Sequence, residues 1–297
     1  MSEKIYNERA MREEICEIGR RVWQRDYVAA NDGNISVRLS ESEILATPTG
    51  VSKGFLTPDM LVVIDRDGNK LRGNMKPSSE LKMHRAFYDA REDVRAVCHA
   101  HPITATGFAV AGLSLDRCTL PEVVISLGAV PLVKYGVPGT DELTQDIMEN
   151  YIGDYDAYLL ANHGVVTIGR SLMSAYYKME TVEHFAKISL IARQLGNENV
   201  FSPARAQELV DARARYGVQA GAGCRIEHKN ASYAPEVPMS GEGAAGYAQE
   251  SKAPRGAGST PSTSTSKSNG AELDLSESEV AQLVQEIARR VVSQVKG

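Results

Sequence analysis

The chain has 297 residues, of which 42% are hydrophobic and 24% charged, with a formal net charge of -5 at pH 7. That is enough apolar material for one sizeable core, while the acidic balance argues against an extended nucleic-acid surface, which needs clustered Lys and Arg. No stretch approaches transmembrane length, and the start MSEKIYNERAMREEICEIGRR lacks the uninterrupted apolar run of a secretory leader, so a cytoplasmic protein with neither nucleic-acid nor membrane partners is expected.

Over 6–27, Met11, Ile15, Ile18 and Val22 recur at helical spacing among Glu and Arg, which predicts an amphipathic helix with one core face. Asn31-Asp32-Gly33-Asn34 breaks it. Strands are predicted at ISVRL, EILAT and LVVID, the last closed by Asp67-Gly68, a dipeptide suited to a hairpin. After Pro77-Ser78-Ser79, ELKMHRAFYDA reads as a helix whose first N–H groups the serines can cap. VRAVCHAH follows as a buried strand. Next come a helix over 103–111, strands around VVISLGAVPLV, a helix over DELTQDIMENY, strands within AYLLANHGVVTIG and a long helix over 172–195. Such a mixture makes one α/β or α+β domain ending near Gly217.

Composition then changes abruptly. Residues 228–271 are mostly Gly, Ala, Ser, Pro and Thr, too poor in large apolar residues to fold alone, and read as a flexible linker after a domain over 1–227. Within 272–297, Ser276 and Glu279 form a capping box and Leu275 and Val280 a hydrophobic staple. Val280, Leu283, Val284, Ile287, Val291 and Val295 share one side, which predicts an amphipathic helix. The four cysteines, Cys16, Cys98, Cys118 and Cys224, form no CxxC pair and are expected to be reduced thiols.

Residues two apart on a strand face the same way, so His99 and His101 can grip one ion, or stand as two imidazoles satisfied by backbone. His163, where an apolar strand meets Gly164, offers a third imidazole. Three neutral imidazoles would hold a zinc ion with a position left open, as a catalytic site requires. His84, His184 and His228 read as solvated or core histidines. Ser78 and Ser79 at a helix start suit either capping or a phosphate. Glu80 suits either the helix dipole or proton transfer. The Asp32–Ser36 and Pro48-Thr49-Gly50 segments are turns that can also present donors to an anion.

Taken in order, GNIS, TPTG, KPSSE, HAHP and NHG resemble the class II aldolase/epimerase family of sugar-phosphate enzymes, typified by L-fuculose-1-phosphate aldolase, over about the first three quarters of the chain. The resemblance implies a three-layer α/β fold with a central, largely antiparallel sheet flanked by helices, and a homotetramer with sites at subunit interfaces. It implies zinc, or another divalent first-row ion, on His99, His101 and His163, and a phosphate pocket from Asn34, Thr49, Gly50, Ser78 and Ser79. Epimerases of the family carry Asp where Glu80 stands, so Glu80 favours aldol cleavage of L-fuculose 1-phosphate or L-rhamnulose 1-phosphate to dihydroxyacetone phosphate and L-lactaldehyde. A pentulose-phosphate 4-epimerase and a non-catalytic scaffold are the alternatives. The chain departs from the family in LPEVVISLG, where Val123, Val124 and Ile125 stand near the place of an active-site tyrosine; Tyr216 resembles a second family tyrosine that closes over the site.

The linker and final helix resemble the encapsulation peptides that carry enzymes into bacterial microcompartments by docking an apolar stripe on shell or cargo proteins. That places the enzyme inside a microcompartment in the bacterial cytoplasm; a self-association helix is the alternative.

Overall fold

The computed structural model describes residues 6–216 together with Val218 and Cys224. The predicted linker over 228–271 and tail helix over 272–297 lie outside the described residues.

The first helix, α1 (Glu8–Gln24), begins where the Asn7 side chain accepts the N–H groups of Arg9 and Ala10, and it buries Ile15, Ile18 and Val22. The strands are β1 (Asn34–Arg38), β2 (Ile44–Ala46), β3 (Val62–Ile64), β4 (Lys70–Arg72), β5 (Ala96–Ala100), β6 (Leu132–Val133), β7 (Ala157–Leu160) and β8 (Gly164–Gly169). They form one eight-stranded sheet in the order β4-β3-β2-β1-β5-β8-β7-β6. Every pairing is antiparallel except β6 with β7. The largely antiparallel sheet flanked by helices is the expected architecture, and Asp67-Gly68 does turn a hairpin, because β3 pairs with β4.

The remaining helices are α2 (Leu81–Ala90), α3 (Ile103–Val110), α4 (Pro121–Ser126), α5 (Glu142–Asn150), α6 (Leu172–Gln194) and α7 (Pro203–Ala212). Strand alternation decides which helices each face receives. Ala96, Cys98 and Ala100 of β5 pack with residues of α1, α3 and α6, among them Ile15, Phe108, Tyr176 and Phe185. Val97 faces the other way, with Leu81 and Phe87 of α2 and Leu143 and Ile147 of α5. By the same alternation His99 and His101 fall on the α2 side.

Three local expectations need correction. The run expected as strand around VVISLGAVPLV is instead α4 followed by the two-residue β6. Its β-branched residues favour strand, but Pro121 at the first helical position and buried Val123 and Val124 let a short helix form there. The serines do not cap α2: Glu80 occupies the N-cap position without a side-chain cap, and the Ser78 hydroxyl accepts the Glu80 N–H instead. The cysteines are not all reduced, because Cys118 and Cys224 are joined in a disulfide across 106 residues, while Cys16 and Cys98 are free. Helix α7, packed against α4, was not anticipated; Ser202 caps it and Pro203 starts it. Among the described residues no helix is long and apolar enough to cross a membrane.

Candidate metal centre

Two adjacent strands and one tight turn bring the three imidazoles together. β5 lies between β1 and β8, with His99 opposite Asn34 on one side and Val166 on the other. His101 follows the strand end, its N–H donated to the Tyr27 carbonyl. β7 and β8 are joined by Ala161-Asn162-His163, with Leu160 paired to Gly164. Asn162 takes a left-handed φ of 54°, a conformation this residue tolerates better than most. Gly164 is required by packing, since a Cβ there would lie 2.4 Å from His101 Cδ2 and 2.7 Å from the Ala100 carbonyl oxygen. The NHG motif is thus a hairpin that lets one histidine ring lie over the backbone of the turn that carries another.

The ring centroids of His99, His101 and His163 are 4.8–5.1 Å apart. One ligand atom from each lies within 4.8 Å of the others. The Nδ1 of His99 donates to the Val165 carbonyl at 2.9 Å, which leaves Nε2 as a lone pair facing the cluster. Asp32 Oδ2 sits 3.4 Å from Nδ1 of His101 and orients that ring the same way. The two Nε2 atoms are 3.2 Å apart. With both Nδ1 atoms protonated, two lone pairs face each other, an arrangement a cation between them relieves. Tetrahedral zinc with Zn–N near 2.0–2.1 Å puts neighbouring nitrogens about 3.3 Å apart, so the donor set fits such an ion. Burial also keeps His99 neutral, pushing it down to about 3, and lowers His101. Neutral imidazole is the form that binds metal.

Glu80 closes the remaining side. Its Oε1 is 3.2 Å from His163 Nε2 and its Oε2 is 3.7 Å from His99 Nε2. Burial alone would raise this carboxyl, but the hydrogen bonds it accepts from His163 and from the Asn34 amide outweigh it and hold the group below the usual carboxylate range. Asn34 Nδ2 donates to Glu80, while Asn34 Oδ1 is buried without a partner.

The other predicted residues form a rim. Pro48 and Pro77 pair across an isolated antiparallel bridge, and the Thr49 N–H donates to the Lys76 carbonyl at 3.0 Å, so the TPTG and KPSSE loops lie side by side. Thr49, Gly50 and Ser79 are exposed there and Ser78 is half-buried. A Cβ on Gly50 would meet nothing within 4 Å, so the space beyond that turn is open. Tyr216 is not joined to this group: it is 68% exposed, on a 3₁₀ turn (Arg213–Tyr216) packed against α4 and α7, which carry none of the other predicted site residues.

Two further residues lie near the centre: His84, whose core alternative the structure bears out, and Lys53, which the sequence does not mark. His84 is fully buried beneath Glu80, its Nδ1 2.7 Å from the Ser36 hydroxyl, which in turn meets the Tyr88 hydroxyl at 2.7 Å. The Glu80/His84 spacing of one helical turn on α2 was the available signal. Lys53 is buried beside the Asn31–Asn34 loop, with no sequence feature that distinguishes it from a surface lysine.

Residues 13–190 match the family described as Class II Aldolase and Adducin N-terminal domain. The chain is 39% identical to a 3-oxo-tetronate 4-phosphate decarboxylase of Escherichia coli over 195 residues, covering 64% of this chain and 91% of the relative. It is 34% identical to an L-fuculose phosphate aldolase of Methanocaldococcus jannaschii over 180 residues, covering 61% of this chain and 96% of the relative. Among solved structures, YgbL from Escherichia coli superposes with a TM-score of 0.62 at 37% identity, over 69% of this chain and 99% of that one. An L-fuculose 1-phosphate aldolase superposes with a TM-score of 0.63 at 28% identity, over 70% and 97%.

Proposed function

We propose a specific reaction for this chain, which belongs to the class II aldolase and adducin family: metal-dependent aldol cleavage of L-fuculose 1-phosphate or L-rhamnulose 1-phosphate to dihydroxyacetone phosphate and L-lactaldehyde. The observation that carries it is the Glu80 carboxylate set against the His99 and His163 nitrogens at 3.7 and 3.2 Å. A proton-transfer group within reach of a three-imidazole centre is what breaking a bond next to a carbonyl requires. A divalent ion on His99, His101 and His163, with zinc as the first choice, supplies Lewis-acid stabilisation of the charge developing on the ketose oxygens. Asn34, Thr49, Gly50, Ser78 and Ser79 bind the phosphate at the rim. Glu80 delivers a proton to C3 of the three-carbon enediolate, or removes it in the condensation direction. Tyr216 serves a site of the homotetramer from its exposed position, closing over substrate.

A second reading, decarboxylation of a 3-oxo acid phosphate, is favoured by α4. Aldol cleavage requires a group to take the C4 hydroxyl proton, and α4 offers only Val123, Val124 and Ile125 where the family aldolases place a tyrosine. Loss of carbon dioxide makes no such demand, and the decarboxylase relative in Escherichia coli is 39% identical. Incubating the zinc-loaded protein with each ketose 1-phosphate and with 3-oxo-tetronate 4-phosphate separates the two. L-Lactaldehyde release from a ketose 1-phosphate is the expected result. Carbon dioxide and dihydroxyacetone phosphate from 3-oxo-tetronate 4-phosphate, with both ketose phosphates left intact, support the second reading, and no product from any of the three defeats both.

The segment 272–297 is assigned to microcompartment targeting through shell or cargo proteins, with 228–271 as its tether and 1–227 as the catalytic domain. The support is the capping box and apolar stripe of the segment. A fluorescent protein carrying 228–297 should concentrate in shells, and a diffuse signal in shell-forming cells rejects the assignment.

A further inference from the structure

Among the described residues one lysine is buried: Lys53, 1% exposed, in the 3₁₀ turn Lys53–Phe55. Its backbone is held hard against α1. A Cβ on Gly19 would lie 2.5 Å from the Lys53 carbonyl oxygen, and the Trp23 ring covers Gly54, where a Cβ would lie 2.5 Å away. From this fixed base Nζ donates to two carbonyls, Asn31 at 2.8 Å and Val51 at 2.7 Å.

Those two carbonyls belong to different loops. Asn31 leads into Asp32-Gly33-Asn34, and Val51 follows Thr49-Gly50. One ammonium therefore ties together the backbones of two segments at the same end of the antiparallel β1–β2 pair. Among the described residues no carboxylate forms an ion pair with it. Burial pushes its pKa down to about 8, opposed by the more distant charges of Asp32 and Glu80. A buried cation without an ion partner is costly, and a neutral side chain would fill the same space at less cost, so the charge itself needs an explanation.

We propose that Lys53 is the positioning residue of the phosphate site: it locks the Asn31 and Val51 carbonyls so that Gly33-Asn34 and Thr49-Gly50 present their donors to one phosphate dianion, whose charge offsets the ammonium. This rests on the sugar-phosphate reading above. It assigns to Lys53 a role in choosing phosphorylated over unphosphorylated substrate, exerted through the loops and without chemistry at the metal.

Binding of dihydroxyacetone phosphate and of dihydroxyacetone to the full, zinc-loaded chain, followed by calorimetry, tests it, since the second compound engages only the metal side. Wild type should prefer the phosphate ester strongly. Lys53→Met and Lys53→Gln should lose about tenfold or more of that preference, with dihydroxyacetone affinity unchanged, and Lys53→Arg should recover part of it. The Gln variant guards against a folding failure in the Met variant, because its amide keeps donors for both carbonyls without the charge. A preference within twofold of wild type in Lys53→Gln, or equal loss for both ligands, overturns the inference and leaves the sugar-phosphate reading standing. A wild type indifferent to the phosphate overturns both.

Discussion

The histidine centre and the corner around α4 and α7 are held together by different means. At the centre, β5 is paired on both edges and buried on both faces, so His99 is placed by ladder hydrogen bonds and core packing and its ring by the Val165 carbonyl. At the corner, a small cluster of Cys118, Val124, Ala129, Ala206 and Cys224 is secured by the disulfide and by Arg213, whose Nε and Nη2 both donate to the Val124 carbonyl, at 2.9 and 2.7 Å. Glu198 adds ion pairs with Arg117 at 3.4 Å and Arg193 at 3.2 Å. The contrast separates two jobs. A metal site demands nitrogens fixed to a fraction of an ångström, which a doubly paired strand provides; within its own chain the corner holds α4 and α7 against the body, which cross-links achieve without a deep core.

If that division is right, damage at the centre should strike activity, and damage at the corner should strike stability. The largest effect is expected for Glu80→Gln, which should lower kcat by about 10²–10⁴-fold while metal content stays at the wild-type level; steady-state kinetics with metal analysis checks both. Next is Cys118→Ser. Opening a loop of 106 residues should cost about 2–4 kcal/mol in denaturant unfolding, with zinc stoichiometry unchanged. Loss of zinc in that variant would erase the distinction between the regions.

Gly164→Ala forces a Cβ into the His101 ring. An overpacking cost of about 1–3 kcal/mol is expected, accompanied by weaker metal binding, and a competition titration against a chelating dye measures the second effect. A gentler probe is pH. Burial holds His84 down to about 3 against 6.5 for the exposed side chain, so below pH 6.5 the unfolded chain takes up a proton that the folded chain refuses. The stability this group contributes is full above pH 6.5 and falls as pH drops toward 3. Replacing it in His84→Gln should remove about 1.4 kcal/mol per pH unit from the slope of unfolding free energy between pH 5.5 and 4.

Most of the centre was legible because its signals are local. Short-range rules mark His99 and His101 two apart on a strand, His163 beside a glycine and Glu80 at a helix start as candidates with bland alternatives; the ordered motifs and their family resemblance join them, and the sheet order brings the strands that carry them together. The corner was not legible for the converse reason. Its strand-like run of Val123, Val124 and Ile125 becomes helix after Pro121, and the partner of Cys118 lies 106 residues away, a pairing that spacing alone does not reveal. For Lys53 and His84 burial decides the meaning: the sequence leaves His84 open between solvated and core, and nothing adjacent announces that Lys53 is enclosed. Tyr216 is 68% exposed on the single chain, so its place in a site depends on a neighbouring subunit and is not legible from one chain's sequence.

The central claim is that imidazoles from β5 and from the β7–β8 turn share one divalent ion. Zinc titrated into the metal-stripped full chain, followed by calorimetry, should bind at one site per chain in the wild type, and that site should be lost in His163→Ala. A His163→Ala protein that still takes up one zinc with wild-type affinity, or a wild type that takes up none, would contradict it.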